Sequence, residues 1–266
     1  MAIKICVDCG HYTNYNQGAY KPYYEGNMTW KLGQYLIQEL KEYGFSVTNT
    51  RTSKGTDLGV YNRGTKAKGH DLFISLHSNA CGTPSVKRVV IVKGYDQPNT
   101  LANKFGECIS KAMGITEKYQ IMTRKNSSGG EYYGVLRGAK AVGVKNRFIL
   151  ECGFHTNVEV AKWLYQDNNL KKLAQAMADM LAKHYGYKKT TNKEETKTEF
   201  KPYVVRIIYE GKDGLNIRKE PNTSSKIMGV VYEGECFTIV YEKNGFGKLK
   251  SGLGYISLNA KYVKKI

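Results

Sequence analysis

Three short stretches carry side chains that bind metals or move protons, and each follows a run of apolar, strand-forming residues: Val7-Asp8-Cys9-Gly10-His11, Ser75-Leu76-His77-Ser78-Asn79 and Leu150-Glu151-Cys152-Gly153-Phe154. In open α/β sheets, ligands bind in the crevice beyond the carboxyl ends of the strands, so residues ending separate strands converge there. Two imidazoles and a glutamate arriving together point to zinc hydrolysis. A catalytic zinc keeps three protein ligands and one open position for water, whose pKa it lowers to about 7. His11 and His77 are the obvious imidazoles. Any carboxylate brought near is eligible as the third ligand, but Glu25 has a specific claim. It stands just before a helix whose apolar face starts at Met28, and the N-terminus of that helix, packed on a sheet, aims it into the crevice. Glu151 closes the Phe148-Ile149-Leu150 strand and is the natural general base, since a carboxylate there is costly to bury without a partner or a task. Taken one at a time, each histidine is equally at home as a satisfied core or surface residue, and Glu25 as a carboxylate favoured by the helix dipole. Their matching positions are what give the set weight.

The elements that must position these groups alternate up to about residue 186. Ile3–Asp8, Phe45–Thr50, Asp71–Leu76, Val86–Val92 and Arg147–Glu151 are short, rich in β-branched or aromatic residues and bounded by turn formers, which predicts strands. Met28, Leu32, Leu36 and Leu40 draw one apolar stripe on a helix ending at Gly44, and further helices are expected over Asn99–Met113 and Val158–Tyr185. Strands interleaved with helices give an α/β fold with a mixed, largely parallel sheet flanked by helices.

Residues 188–202 change character. The run is polar, charged and free of aliphatic residues, so it reads as a linker. From Tyr203 to Ile266, strand-like runs at Tyr203–Tyr209, Gly229–Val231, Cys236–Tyr241 and Gly254–Ile256 are split by Gly-rich or Pro-Asn turns, the pattern of a small all-β barrel. The expected division is therefore 1–187, a 188–202 linker and 203–266.

The chain has 266 residues and a formal net charge of +18. Residues 1–188 hold 26 Lys and Arg against 14 Asp and Glu, and residues 203–266 hold 11 against 6, so both folded parts are basic. Such an excess speeds encounter with polyanions without defining the fold. The candidate polyanions are nucleic acid and the anionic polymers of a bacterial cell wall; no dense block of five or six like charges and no helix-turn-helix or zinc-finger spacing marks a nucleic-acid binder. No run approaches the ~18 apolar residues of a membrane span. The N-terminus enters a strand pattern directly, without the charged and apolar regions of a secretory signal. Six cysteines in a chain of this size are expected as reduced thiols. Cys6 and Cys9 stand at C-x-x-C spacing, but no second such pair exists to complete a structural zinc site.

Asp8-Cys9-Gly10-His11, Glu25, Thr50-Arg51, Asn62-Arg63, Ile74-Ser75-Leu76-His77-Ser78-Asn79-Ala80 and Glu151-Cys152-Gly153-Phe154-His155-Thr156-Asn157 together resemble the ordered signature of the zinc N-acetylmuramoyl-L-alanine amidases of the third amidase family, over about residues 1–186. The resemblance implies that His11, Glu25 and His77 ligate Zn2+ and that Glu151 is the catalytic acid/base. The reaction would be cleavage of the amide between the lactyl group of N-acetylmuramic acid and L-alanine of the stem peptide. The family commonly has Pro at the position of Cys9 and an apolar residue at that of His155, departures that remove no ligand. Gly214-Leu215-Asn216-Ile217-Arg218-Lys219-Glu220-Pro221-Asn222, with Lys226-Ile227-Met228-Gly229, Gly234-Glu235 and Gly254-Tyr255-Ile256, resembles a bacterial SH3-like domain, which implies a module that tethers the enzyme to its wall substrate.

The combination resembles a phage endolysin, made in the bacterial cytoplasm and acting on peptidoglycan after release. A bacterial autolysin or sporulation amidase shares the same chemistry. Two other classes remain open from sequence. Cys152 near His155 would suit a cysteine-type cell-wall peptidase, although if Glu151 faces the crevice its strand neighbour Cys152 faces away. A non-catalytic wall binder is the other, against which stand the four intact site residues.

Overall fold

The computed structural model describes residues 2–189 and 200–266, so residues 190–199 of the expected linker lie outside the described residues. The chain divides into two compact units, Met1–Thr190 and Thr191–Ile266.

The first unit alternates β1 (Lys4–Cys9), α1 (Glu25–Glu42), β2 (Ser46–Asn49), α2 (Val60–Thr65), β3 (Leu72–Asn79), β4 (Val90–Lys93), α3 (Thr100–Met113), β5 (Gln120–Met122), α4 (Gly134–Ala141), β6 (Asn146–Phe154), α5 (Val158–Tyr165) and α6 (Asp167–Tyr185). Its six strands form one sheet in the order β2-β1-β3-β6-β4-β5, in which only the β4–β6 pair is antiparallel. Side chains alternate across the sheet and feed two cores. Ile5, Val7, Ile74, Leu76, Leu150 and Cys152 pack against the stripes of α1, α3, α5 and α6, while Cys6, Phe73 and Ile149 pack against α4 and the segment after α2. The result is three layers, helices on both faces of a mostly parallel sheet. Cys6 and Cys9 belong to opposite cores, so the C-x-x-C spacing makes no paired thiol site.

Several elements differ from the sequence expectation. β3 and β6 run on through His77 and Glu151 because their ladder continues, with a register break, from His77↔Glu151 to Asn79↔Phe154. Those two residues therefore lie within strands, and only His11 lies beyond one. The helix expected over Val158–Tyr185 is two helices, broken at Gln166, whose backbone is extended. β5, α2 and α4 are three, six and eight residues long, too short for periodicity to mark.

The second unit places β7 (Tyr203–Ile207), β8 (Leu215–Arg218), β9 (Ile227–Val231), β10 (Cys236–Lys243), β11 (Phe246–Leu249), β12 (Tyr255–Ser257) and β13 (Val263–Lys265) in a seven-stranded sheet ordered β13-β7-β10-β11-β12-β8-β9. Every pairing is antiparallel. One core of Val205, Ile207, Leu215, Ile217, Val231, Ile239, Leu249, Ile256 and Val263 holds it together. Among the described residues, no helix is long and apolar enough to cross a membrane.

The approach of α2 to α4 depends on two glycines. A Cβ on Gly64 would stand 2.0 Å from the Val135 carbonyl oxygen, and one on Gly138 would stand 2.1 Å from that of Tyr61. Gly138→Ala is therefore expected to push the pair apart and cost about 1–3 kcal/mol, the usual range for overpacking. Urea denaturation of the full chain measures this, and an unchanged midpoint would show that the two helices have room to spare.

Candidate active site

At the carboxyl end of the sheet, beside α2 and α4, lies a cleft of about 370 Å³ whose lining includes His11, Glu25, His77, Glu151 and His155. Four elements deliver the first four of these groups. β1 ends at Cys9, and the chain then turns through Gly10 to His11, which takes a left-handed backbone at φ 60°. That conformation disfavours a residue with a Cβ, so its neighbours must hold it. Arg63 Nη2 donates to the His11 carbonyl at 3.0 Å and Nη1 to that of Cys9 at 3.2 Å, and the His11 ring stacks on Tyr15 at 4.6 Å. Gly10 is required because a Cβ there would lie 2.4 Å from Cε1 of His77.

Glu25 is the first residue of α1 and is almost fully buried, its side chain 1% exposed. One carboxylate oxygen accepts from the Ser78 backbone N–H at 2.9 Å and faces His77 Nδ1 at 3.0 Å. The other accepts from Asn16 Nδ2 at 2.7 Å and faces His11 Nε2 at 3.2 Å. Burial alone would raise this carboxyl, but the two imidazoles hold it well below the usual carboxylate range. The same pair acts on His77. Burial pulls that imidazole down, and Glu25, by hydrogen bond and by charge, more than reverses the effect and takes it up to about 9.

His77 and Glu151 are register partners on adjacent strands, so both project on the α2/α4 face. Glu151 differs from Glu25 in that, among the described residues, its Oε2 is buried without a hydrogen bond. Burial pushes its carboxyl up to about 7, with His77 opposing and Glu25 adding to the rise. Val60, Tyr133, Gly134, Val135 and Ile149 line the cleft alongside it, which supplies the apolar surroundings.

The structure thus brings His11, Glu25 and His77 together, with one ligand atom from each lying within 4.8 Å of the others. This is a possible metal site of two imidazole nitrogens and a carboxylate oxygen.

Other residues of the quoted stretches build the frame. Asp8 is buried and accepts from Thr50 Oγ1 at 2.5 Å and Ser75 Oγ at 2.6 Å, with Arg63 at 3.8 Å. Arg51 donates to the carbonyls of Cys9, Gly10 and Gly26 at 3.4 Å and also to that of Lys54. Asn157 caps α5 by accepting from the N–H groups of Glu159 and Val160 at 3.1 Å. The Cys152 thiol is fully buried in the α1/α3 core, and its hydrogen-bond partner is the Leu150 carbonyl. Among the described residues no imidazole hydrogen-bonds to this thiol, and His155 Nδ1 is engaged with Ser78 instead.

The family description "N-acetylmuramoyl-L-alanine amidase" matches residues 5–183, and "Bacterial SH3 domain" matches residues 213–264. The chain belongs to the N-acetylmuramoyl-L-alanine amidase family. Among solved structures, the amidase is similar to the catalytic domain of CwlV from Bacillus (Paenibacillus) polymyxa var. colistinus, with 19% identity over 70% of this chain and 99% of that one and a TM-score of 0.59. It is also similar to an N-acetylmuramoyl-L-alanine amidase from Clostridium difficile 630 (18% identity, 70% and 97% covered, TM-score 0.59) and to AmiC2 of Nostoc punctiforme (20% identity, 69% and 97% covered, TM-score 0.59). At such identities the likeness is one of fold. No curated protein sequence matches the chain.

Residue type and spacing mark His11, Glu25, His77 and Glu151, but give no role to Asn16, Ser78 or Tyr23. Asn16 sits in an irregular loop at φ 59°, where no periodicity marks it. A cluster of Asn and Tyr between His11 and Glu25 was the one available signal.

The raised Glu151 carboxyl has a consequence for stability. An ordinary glutamate titrates at 4.5, whereas Glu151 in the fold titrates at about 7. The folded state keeps the extra proton across that window, so the stabilising contribution is full below 4.5 and is lost as pH rises through 7. Glu151→Gln cannot ionise. In metal-free protein its thermal midpoint is expected to match wild type near pH 4 and to exceed it near pH 8. A calorimetric difference that is the same at both pH values counts against an unpaired, buried carboxylate.

Proposed function

We propose that His11, Glu25 and His77 hold one Zn2+ and that Glu151 is the proton carrier for cleavage of the amide between N-acetylmuramic acid and L-alanine. The donor set supports this reading. Zinc bonds of about 2.0–2.2 Å at tetrahedral angles put neighbouring ligand atoms about 3.3–3.6 Å apart. Glu25 Oε2 stands 3.2 Å from His11 Nε2 and its Oε1 3.0 Å from His77 Nδ1, and one ligand atom from each of the three residues lies within 4.8 Å of the others, a set that a modest side-chain adjustment closes onto one ion. Three ligands leave the open position that a catalytic site needs. Bound zinc supplies a Lewis acid that polarises a carbonyl oxygen and lowers the pKa of water to about 7.

The remaining work falls to the chain's own groups. Asn16 and the Ser78 N–H hold the Glu25 carboxylate in one orientation. Glu151, through its unpartnered Oε2, accepts a proton from the attacking water as the new C–O bond forms. It returns that proton to the amide nitrogen as the C–N bond breaks, and the proton left on the new carboxylic acid passes to the released amine, leaving the lactyl carboxylate and the L-alanine ammonium. A carboxyl near 7 is matched to both halves of that transfer. The observation that carries the reading is Glu151, half-buried with its Oε2 shielded from solvent and without a hydrogen bond, lining the same cleft as the three converging donors.

The SH3-like unit is read as the tether to the wall, where a second weak contact raises the effective concentration of the catalytic unit. The excess of basic over acidic residues in both parts favours a surface rich in anionic polymers. A wall amidase joined to such a module suits an endolysin made in the cytoplasm and released to act on peptidoglycan.

Purified protein incubated with Gram-positive walls is expected to free L-alanine amines, to stop when a chelator is added and to resume with zinc. Glu151→Gln should lower the rate by about 10²- to 10⁴-fold while still sedimenting with walls. Full activity in a preparation proven metal-free would end the zinc reading. Cells that make the protein should stay intact until their membrane is permeabilised, and lysis without that step would contradict cytoplasmic retention.

A further inference from the structure

The ladder between β3 and β6 breaks between His77 and Asn79, so Ser78 has no partner residue across the sheet. A backbone carbonyl at such a break needs another donor. His155 supplies it: Nδ1 lies 3.1 Å from the Ser78 carbonyl oxygen and 2.9 Å from Ser78 Oγ. A carbonyl only accepts, so Nδ1 carries the proton. On its other side, Ser78 Oγ meets the Tyr23 hydroxyl at 2.6 Å, and the Tyr23 and His155 rings stack at 5.9 Å. Tyr23 is 1% and His155 3% exposed.

Ser78 is thereby gripped by its carbonyl and its hydroxyl, and its remaining polar group, the backbone N–H, is the one that donates to Glu25 at 2.9 Å. His155 also ties the loop that carries Asn16, because its carbonyl accepts from the Ala19 N–H at 2.8 Å and its own N–H donates to the Asn79 carbonyl at 2.8 Å. Both backbone bonds survive any side-chain replacement, so the imidazole's contribution is separable from that of the loop.

We infer that His155, through Ser78 and with Tyr23, is a positioning residue that fixes the Glu25 carboxylate in the orientation the metal requires. An apolar side chain of similar size would fill the same space, and burial keeps the imidazole neutral by lowering its pKa. A buried imidazole at this point therefore has the carbonyl and hydroxyl of Ser78 as its structural task, and their alignment sets the N–H that Glu25 accepts. Groups that orient a metal ligand in this way typically change metal affinity by about 10- to 100-fold when lost.

The inference rests on the zinc reading, and the test separates the two. Zinc affinity of the full chain is measured by chelator competition, and the geometry of the site by the visible spectrum of the Co2+-substituted protein. His155→Leu and Tyr23→Phe are expected to fold, to bind zinc about 10- to 100-fold more weakly and to shift the cobalt bands. His155→Asn places an amide N–H near the Nδ1 position and is expected to restore most of the affinity. A wild type that takes up no stoichiometric zinc overturns the metal reading itself. A wild type that binds zinc, with a leucine variant of equal affinity and unchanged cobalt spectrum, overturns the role of His155 alone. Equal losses in His155→Leu and His155→Asn also count against it, since they would report packing rather than the hydrogen bond.

Discussion

A carboxylate that is 1% exposed at the first residue of a helix is the constraint around which this site is built. Burying an unpaired charge there would cost several kcal/mol, and Glu25 avoids that cost through four contacts, two imidazoles and two N–H donors. Those contacts come from β3, from the end of β1 and from the loop between β1 and α1. Satisfying one charge therefore fixes the relative positions of three pieces of chain. Glu151 lines the same cleft, and among the described residues its Oε2 is buried without a hydrogen bond. On the proposed reading, the pinned, ionised glutamate is the metal ligand and the one that burial lifts to about 7 is the proton carrier.

Charge in the catalytic unit also serves a purely mechanical purpose. Arg51 and Arg63 are 1% and 5% exposed, and both spend their donors on backbone carbonyls around Cys9, Gly10 and His11. The turn that holds His11 left-handed leaves carbonyls outside the regular backbone ladders; Thr29 Oγ1 of α1 donates to the Gly10 carbonyl at 2.6 Å, and the two arginines supply the further donors. Guanidinium groups, with several donors in a fixed fork, suit that geometry better than an ammonium. Asp8 anchors the arrangement through Thr50 and Ser75.

Much of this was legible in the sequence because strand and stripe patterns report burial directly. The period of Met28, Leu32, Leu36 and Leu40 located α1 and with it the direction in which Glu25 points. The apolar runs before His11, His77 and Glu151 located the end of the sheet. The residues that escaped notice are those whose role comes from a break in regularity. Ser78 matters because the β3–β6 ladder slips at that point, and Asn16 because a loop returns to the helix N-terminus. His155 stood out as a departure from the family's pattern, but only its place opposite the ladder break shows what it touches. Short elements such as β5 and α2 were missed for the ordinary reason that three to six residues carry too little pattern.

The decisive measurement is anomalous X-ray diffraction from a crystal grown with zinc, recorded on both sides of the zinc absorption edge. One peak is expected in the catalytic unit, bonded to His11, Glu25 and His77 at about 2.0–2.2 Å, with Glu151 outside bonding distance. A peak elsewhere, or one in which Glu151 replaces Glu25 as the carboxylate ligand, would contradict the assignment of the two glutamates.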